Sequence, residues 1–135
     1  MRKLLFFLPI LFVVSCKCKQ KVPTINGSWT LEYLSAPGAD FTKLYPNEKP
    51  TLNVDVVQNQ ASGKNGCNNF SGGVKVVGNL VTFDQNMITT KMFCPGDGER
   101  IFMGALFKAN AYTFDSEGKL TLLNDDIAIM RFAKK

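Results

Sequence analysis

The four cysteines are the residues of this 135-residue chain that could carry chemistry, and the chain contains no histidine. A catalytic thiol needs a neighbouring base, and a structural zinc site needs four ligands, commonly in C-x-x-C pairs. Neither Cys67 nor Cys94 belongs to such a pair. A disulfide needs only one partner, and we predict that Cys67 bonds to Cys94. The bridge would close a loop of about 28 residues and stabilise the fold by roughly 3.5 kcal/mol on a chain-entropy model. A redox role for this pair or for Cys18 is the weaker alternative.

The N-terminus resembles a bacterial lipoprotein leader. Two cations are followed by an apolar run of signal-peptide length, which is too short to cross a bilayer. The run ends in "VVSC", where the small Ser15 precedes Cys16, as lipidation requires. We predict a signal peptide over residues 1–15, lipidation of Cys16 and a flexible tether over residues 16–24. The alternative is an ordinary signal peptide with a cysteine there by chance. Cys18 has no predicted role.

The excess of positive over negative charge lies in the N-terminal region. The whole chain carries a formal charge of +5, but residues 22–135 contain eleven basic and eleven acidic residues. The folded part therefore offers no overall charge that would attract a polyanion, and we predict no nucleic-acid partner. The lysines of the tether either approach anionic lipid head groups or belong to a solvated linker.

The rest of the chain is rich in alternating apolar residues, which predicts β-strands. The first strand should place Trp29, Leu31 and Tyr33 on one face. Hairpins are expected at Gly78-Asn79 and at Glu117-Gly118. The fold class is α+β and mostly β: an antiparallel, barrel-like curled sheet of about seven or eight strands with one α-helix, in a single domain over residues 25–135.

Two further segments depart from the strand pattern. Apolar residues at three- and four-residue spacing predict a helix at about 98–109, with Asp97 as its N-cap and Glu99 in its first turn. Residues 36–50 are rich in turn formers and predict a long loop. Its aromatic residues Phe41 and Tyr45 are expected to be exposed, as a possible binding loop or as cover for one end of the sheet.

Two ordered motifs give a family resemblance. "GCNNFSGG" (residues 66–73) precedes "TTKMFC" (residues 89–94), and a Trp-containing strand and a helix flank them. This pattern resembles the META/HslJ-like domain family, and the matching residues are Trp29, Leu31, Gly66, Cys67, Asn68, Phe70, Thr90, Met92, Cys94, Leu120 and Leu122. The resemblance covers about residues 25–133. It implies a small β-rich domain, often on envelope lipoproteins and in some cases linked to stress tolerance, with no established enzymatic activity.

We therefore expect a non-enzymatic envelope lipoprotein without cofactor or metal. Its domain would be an interaction module for an envelope protein and would support envelope integrity or stress tolerance. Lys17 after the lipidated cysteine favours the outer membrane, with the domain facing the periplasm. The alternative is a carrier or chaperone of a small apolar or lipid-like ligand at the mouth of the sheet.

Overall fold

The computed structural model describes residues 23–135. The predicted signal peptide, the predicted lipidation site Cys16 and the unassigned Cys18 lie outside these residues. The elements, in chain order, are β1 (Gly27–Leu34), α1 (Phe41–Leu44), β2 (Thr51–Asp55), β3 (Gln60–Lys64), β4 (Asn69–Val77), β5 (Leu80–Phe83), β6 (Ile88–Thr89), α2 (Gly98–Lys108), β7 (Ala111–Phe114), β8 (Leu120–Asn124) and β9 (Ile127–Lys134).

The strands form one antiparallel sheet curled into a ring. Its order is β3-β2-β1-β9-β8-β7-β5-β4-β6, and β3 also pairs with β4. Most neighbouring strands share four or more residue pairs, but β5 and β7 share only Leu80 with Ala111. Two hydrogen bonds flank that pair: Val81 N donates to Asn110 O at 3.1 Å, and Tyr112 N donates to Asn79 O at 2.9 Å. The predicted curled sheet is confirmed, with nine strands.

Side chains fill the interior of the ring. Trp29 from β1 and Phe132 from β9 are buried there together with Phe102 from α2. The indole Nε1 of Trp29 donates to the backbone oxygen of Ile25 at 2.8 Å, so its one polar atom is satisfied. Phe70 of β4, predicted as a core residue, is buried with its ring centroid 5.7 Å from that of Phe102.

The helix predicted at 98–109 is α2, Gly98–Lys108. Its buried residues include Phe102, Met103 and Leu106, at the spacing that the sequence pattern predicted. The predicted hairpins lie at the β4–β5 and β7–β8 turns, where Gly78 and Gly118 have φ of +61° and +77°. Within residues 23–135, neither helix is long and apolar enough to span a bilayer.

Three local expectations were wrong. Tyr33 does not share the inward face of β1, because the pairing with β9 shifts between Leu31 and Tyr33. Tyr33 is 42% exposed, while Leu34 is buried. The predicted loop at 36–50 contains one helical turn, α1. Finally, the carboxylate of Asp97 occupies the N-cap position of α2 without capping it, and accepts from Arg100 Nε at 3.2 Å instead.

Candidate interaction site

The two family motifs meet at a disulfide between Cys67 and Cys94, as predicted. Their Cα atoms are 6.2 Å apart, and the residues are separated by 27 positions in sequence. Cys67 lies between β3 and β4, and Cys94 lies between β6 and α2. The bond therefore ties the chain before α2 to the turn that precedes β4. We call residues 91–95, which include Cys94, the 91–95 loop.

The side chain of Asn68 holds the backbone of the 91–95 loop through hydrogen bonds. Its side-chain oxygen accepts from Met92 N at 2.7 Å and from Thr90 Oγ1 at 2.8 Å. Its side-chain nitrogen donates to Met92 O at 3.1 Å. Asn68 is only 2% exposed, so these bonds are shielded from water. The ladder between β4 and β6 ends at Thr89. Beyond it, the side chain of Asn68 takes over and bonds to the backbone of Met92.

A second buried amide and one carboxylate complete this network. Glu99 accepts from Asn65 Nδ2 at 3.0 Å and from Asn68 Nδ2 at 2.9 Å. Asn65 Oδ1 in turn accepts from the backbone nitrogen of Asn68 at 2.8 Å. Glu99 lies in the first turn of α2, where the helix dipole favours a negative charge. Every buried side-chain nitrogen and oxygen among residues 23–135 has a hydrogen-bond partner.

The ring of Tyr45 packs beside this network. A Cβ atom on Gly66 or on Gly98 would lie within 3 Å of the Tyr45 ring, so both glycines make room for it. The hydroxyl of Tyr45 donates to Gly98 O at 2.9 Å, and burial raises its pKa to about 12. The expected exposure of Tyr45 is therefore wrong, since it is only 6% exposed. Phe41 is half-buried, with its ring centroid 5.2 Å from that of Tyr45.

Two apolar side chains of the 91–95 loop, those of Met92 and Phe93, point into solvent. Phe93 is 93% exposed and Met92 is 60% exposed. Phe93 also borders a cleft of about 200 Å³ that is lined in part by Leu44, Tyr45 and Pro95. An aromatic side chain with this exposure on a fixed backbone suits contact with an apolar surface of a partner.

The polar side chains of this site are bonded to one another. Among residues 23–135, no three Cys, Asp or Glu residues lie close enough to hold a metal ion. Glu99 is occupied by two amide donors, and the two cysteines are bonded to each other. Together, the disulfide and the Asn68 hydrogen bonds hold the backbone of the 91–95 loop in place.

The sequence pointed to part of this site and missed the rest. Cys67, Asn68, Thr90, Met92 and Cys94 were singled out by the motifs. The roles of Asn65 and Glu99 were not predicted. The available signal was a pair of asparagines flanking Cys67, since amides next to a strand start often bond to backbone groups nearby.

Comparison with known proteins identifies the family and the fold of this chain. The model of the META domain family matches residues 22–135. A protein from Burkholderia xenovorans, solved by NMR, is 20% identical with a TM-score of 0.61, and the alignment covers 82% of each chain. A DUF4847 family protein from Bacteroides vulgatus, solved by crystallography, is 17% identical with a TM-score of 0.55, over 82% of this chain and 93% of that one. A search of the curated proteins found no match. The solved structures share the fold, and the family match over residues 22–135 shows that this chain belongs to the META domain family.

Proposed function

We propose that this protein is a non-enzymatic lipoprotein of the cell envelope whose META domain binds another envelope protein through the 91–95 loop. Lipidation of Cys16 would hold it on the outer membrane, with the domain in the periplasm. There it would support envelope integrity or tolerance of stress. The leader sequence supports the anchor, and an oxidising compartment would keep the Cys67–Cys94 bond intact.

The binding role rests on one observation: the side chain of Phe93 is exposed, whereas the backbone on both sides of it is held in place. The side chain is 93% exposed, yet the disulfide and Asn68 fix the loop backbone on both sides of it. A loop that is ordered before binding loses little conformational entropy when a partner arrives. Phe93 and its neighbour Met92 expose apolar surface side by side, and a contact with a partner would bury both.

The test is a photo-crosslinking amino acid placed at position 93 of the full-length protein in intact cells. The matched control places it at Ile127, which is also apolar and is 67% exposed. We expect one reproducible protein adduct at position 93, none at position 127, and loss of the adduct in a Cys16→Ala background. Equal adducts at both positions, or none at position 93, would contradict the proposal.

Phe93→Ala separates binding from folding. Because the side chain is exposed, its removal should change the free energy of unfolding by less than about 0.5 kcal/mol. The buried Phe70→Ala should cost about 3–5 kcal/mol. A Phe93→Ala protein that is stable but no longer bound by the partner would support the proposed surface. A turnover activity of the purified domain would contradict the non-enzymatic role.

A second candidate is a carrier of a small apolar ligand. One observation favours it: a cleft of about 490 Å³ between α2 and the segment after β1, with apolar lining residues that include Ala36, Ile101 and Ile129. Against it, the interior of the ring is filled by side chains such as Trp29 and Phe132. Native mass spectrometry of the purified protein tests this candidate. The substitution Ala105→Trp would fill the cleft. A ligand that co-purifies with the wild type and is absent from this variant would support the carrier role.

A further inference from the structure

One end of the ring receives the chain from the tether. Pro23, the first residue described, lines a shallow cleft together with Gly78 and Asn79 of the β4–β5 turn. Tyr112 and Phe114 complete much of its wall, and Tyr112 donates its hydroxyl to Gly78 O at 2.7 Å. The polypeptide therefore enters the domain directly beside the β4–β5 turn.

Two neighbouring turns at this end carry exposed apolar side chains. In the β4–β5 hairpin, the paired residues Val77 and Leu80 are 59% and 56% exposed. In the β2–β3 turn, Val57 is 86% exposed. The β2–β3 turn also lies at the entry of the chain, because Asn26 Oδ1 accepts from the backbone nitrogen of Val56 at 3.0 Å. We call Val57, Val77 and Leu80 the entry face.

The length of the tether limits where the entry face can lie. Six residues, 17–22, separate Cys16 from Pro23, so seven Cα–Cα steps join the position of lipidation to the domain. Fully extended, they span at most about 25 Å. We propose that the entry face rests on the lipid surface that holds the acyl chains, so that the domain has one fixed orientation on the membrane. This inference rests on the proposed lipidation of Cys16.

Charge supports the same orientation. Lys17, Lys19 and Lys21 lie in the tether, between the predicted anchor and the entry face, and anionic head groups attract such cations. The β7–β8 turn at the same end carries Asp115 and Glu117 instead. Lys119 pairs with Glu117 at 3.4 Å, which leaves Asp115 as the carboxylate of this turn that would disfavour close approach to an anionic surface.

The proposed orientation also places the 91–95 loop. Strand β4 runs from Asn69, two positions after the disulfide-bonded Cys67, to Val77 in the entry face. From Phe70 to Val77 the strand rises by roughly 23 Å. With Val77 on the lipid, Phe93 lies at the far end of the ring and faces away from the membrane, where a partner can reach it.

The test uses the full-length lipidated protein in nanodiscs of anionic lipid, with the methyl groups of Ile, Leu and Val labelled for NMR. Lipids with a nitroxide near the head group broaden the signals of methyl groups that approach the membrane. We expect Val57, Val77 and Leu80 to lose most of their intensity. The controls Ile88 and Ile127 are 78% and 67% exposed and should keep theirs.

Mass spectrometry of the same sample separates the two possible failures. Loss of intensity at the entry face but not at the controls, on a chain with acylated Cys16, supports the proposal. An acylated chain whose entry face and controls respond alike overturns the orientation and leaves the anchor standing. A mature chain without acyl groups on Cys16 overturns the anchor, and the orientation with it.

Discussion

Asn68 gives Met92 both hydrogen bonds that a neighbouring strand would give it. Its amide oxygen accepts from Met92 N at 2.7 Å, and its amide nitrogen donates to Met92 O at 3.1 Å. One short side chain can do this because Asn68 is buried in the turn just before β4. The exposed loop is consequently as fixed at Met92 as it would be within a sheet.

The first prediction concerns the charge balance around this amide. In Asn68→Asp, a carboxylate oxygen would replace the nitrogen that lies 2.9 Å from Glu99 Oε2. The two carboxylates would repel each other, and Met92 O would lose its donor. We expect the free energy of unfolding to fall by about 2–4 kcal/mol, measured by urea denaturation. The exposed neighbour provides the control, since Asn69→Asp should cost less than about 0.5 kcal/mol. Equal losses would show that the network around Asn68 is unimportant.

The second prediction concerns the disulfide. Replacing Cys67 and Cys94 together by alanine removes a cross-link over 27 positions. We expect a loss of about 3.5 kcal/mol in the free energy of unfolding, because the unfolded chain regains the entropy of that loop. Cys18→Ala is the control and should leave the denaturation midpoint unchanged. A double variant with the midpoint of the wild type would contradict the stabilising role.

The third prediction compares two glycines of α2. Alanine favours helix over glycine by about 1 kcal/mol, so the open position Gly104→Ala should be stabilising by about 0.5–1 kcal/mol. A Cβ there meets nothing within 4 Å. At Gly98 the same atom would lie 2.6 Å from Leu44 O and 2.9 Å from Tyr45 Cε1. Gly98→Ala should therefore be destabilising by about 1–3 kcal/mol in thermal or urea unfolding. Two shifts of the same sign would mean that Tyr45 can move away from the helix.

The fourth prediction is a loss of stability in alkali. Burial raises the pKa of Tyr45 from its usual 10.0 to about 12, so the folded state binds the phenolic proton more tightly than the unfolded state. This contribution is fully present below pH 10 and is lost as pH rises through about 12. Within that window the free energy of unfolding should fall by up to about 1.4 kcal/mol per pH unit.

Tyr45→Phe isolates this contribution. The variant should lose about 1 kcal/mol at neutral pH, because Gly98 O loses its donor. It should then show a shallower fall between pH 10 and 12 than the wild type, measured by urea denaturation at a series of pH values. Parallel curves would assign the alkaline loss to other groups, such as the lysines.

The elements that the sequence predicted well are those with an unbroken period. In α2, Phe102 and Leu106 recur at helical spacing, and the structure buries both. The hairpin at Gly78 was predictable because a residue with positive φ is needed there. The disulfide followed from elimination, since a chain without histidine left Cys67 and Cys94 few other uses.

The misses have local physical causes. An extra residue between Leu31 and Tyr33 reverses the side-chain alternation of β1, and such a bulge leaves no clear mark in one sequence. Glu99 was assigned to helix capping because that explanation is local, whereas its partners Asn65 and Asn68 lie more than thirty positions away. Tyr45 looked exposed because the two glycines that accommodate it are also distant in sequence.

The ring of strands is weakest between β5 and β7, which share a single residue pair. Elsewhere the strands share longer ladders, so separating them breaks more bonds. At Leu80 and Ala111, opening costs one pair, its two flanking backbone hydrogen bonds and the hydrogen bond from the Tyr112 hydroxyl to Gly78 O. We therefore expect sub-global unfolding to start at this seam, which would free two strand edges for pairing with another chain. Any self-association that followed such opening would begin beside Leu80, in the same hairpin that we place against the membrane.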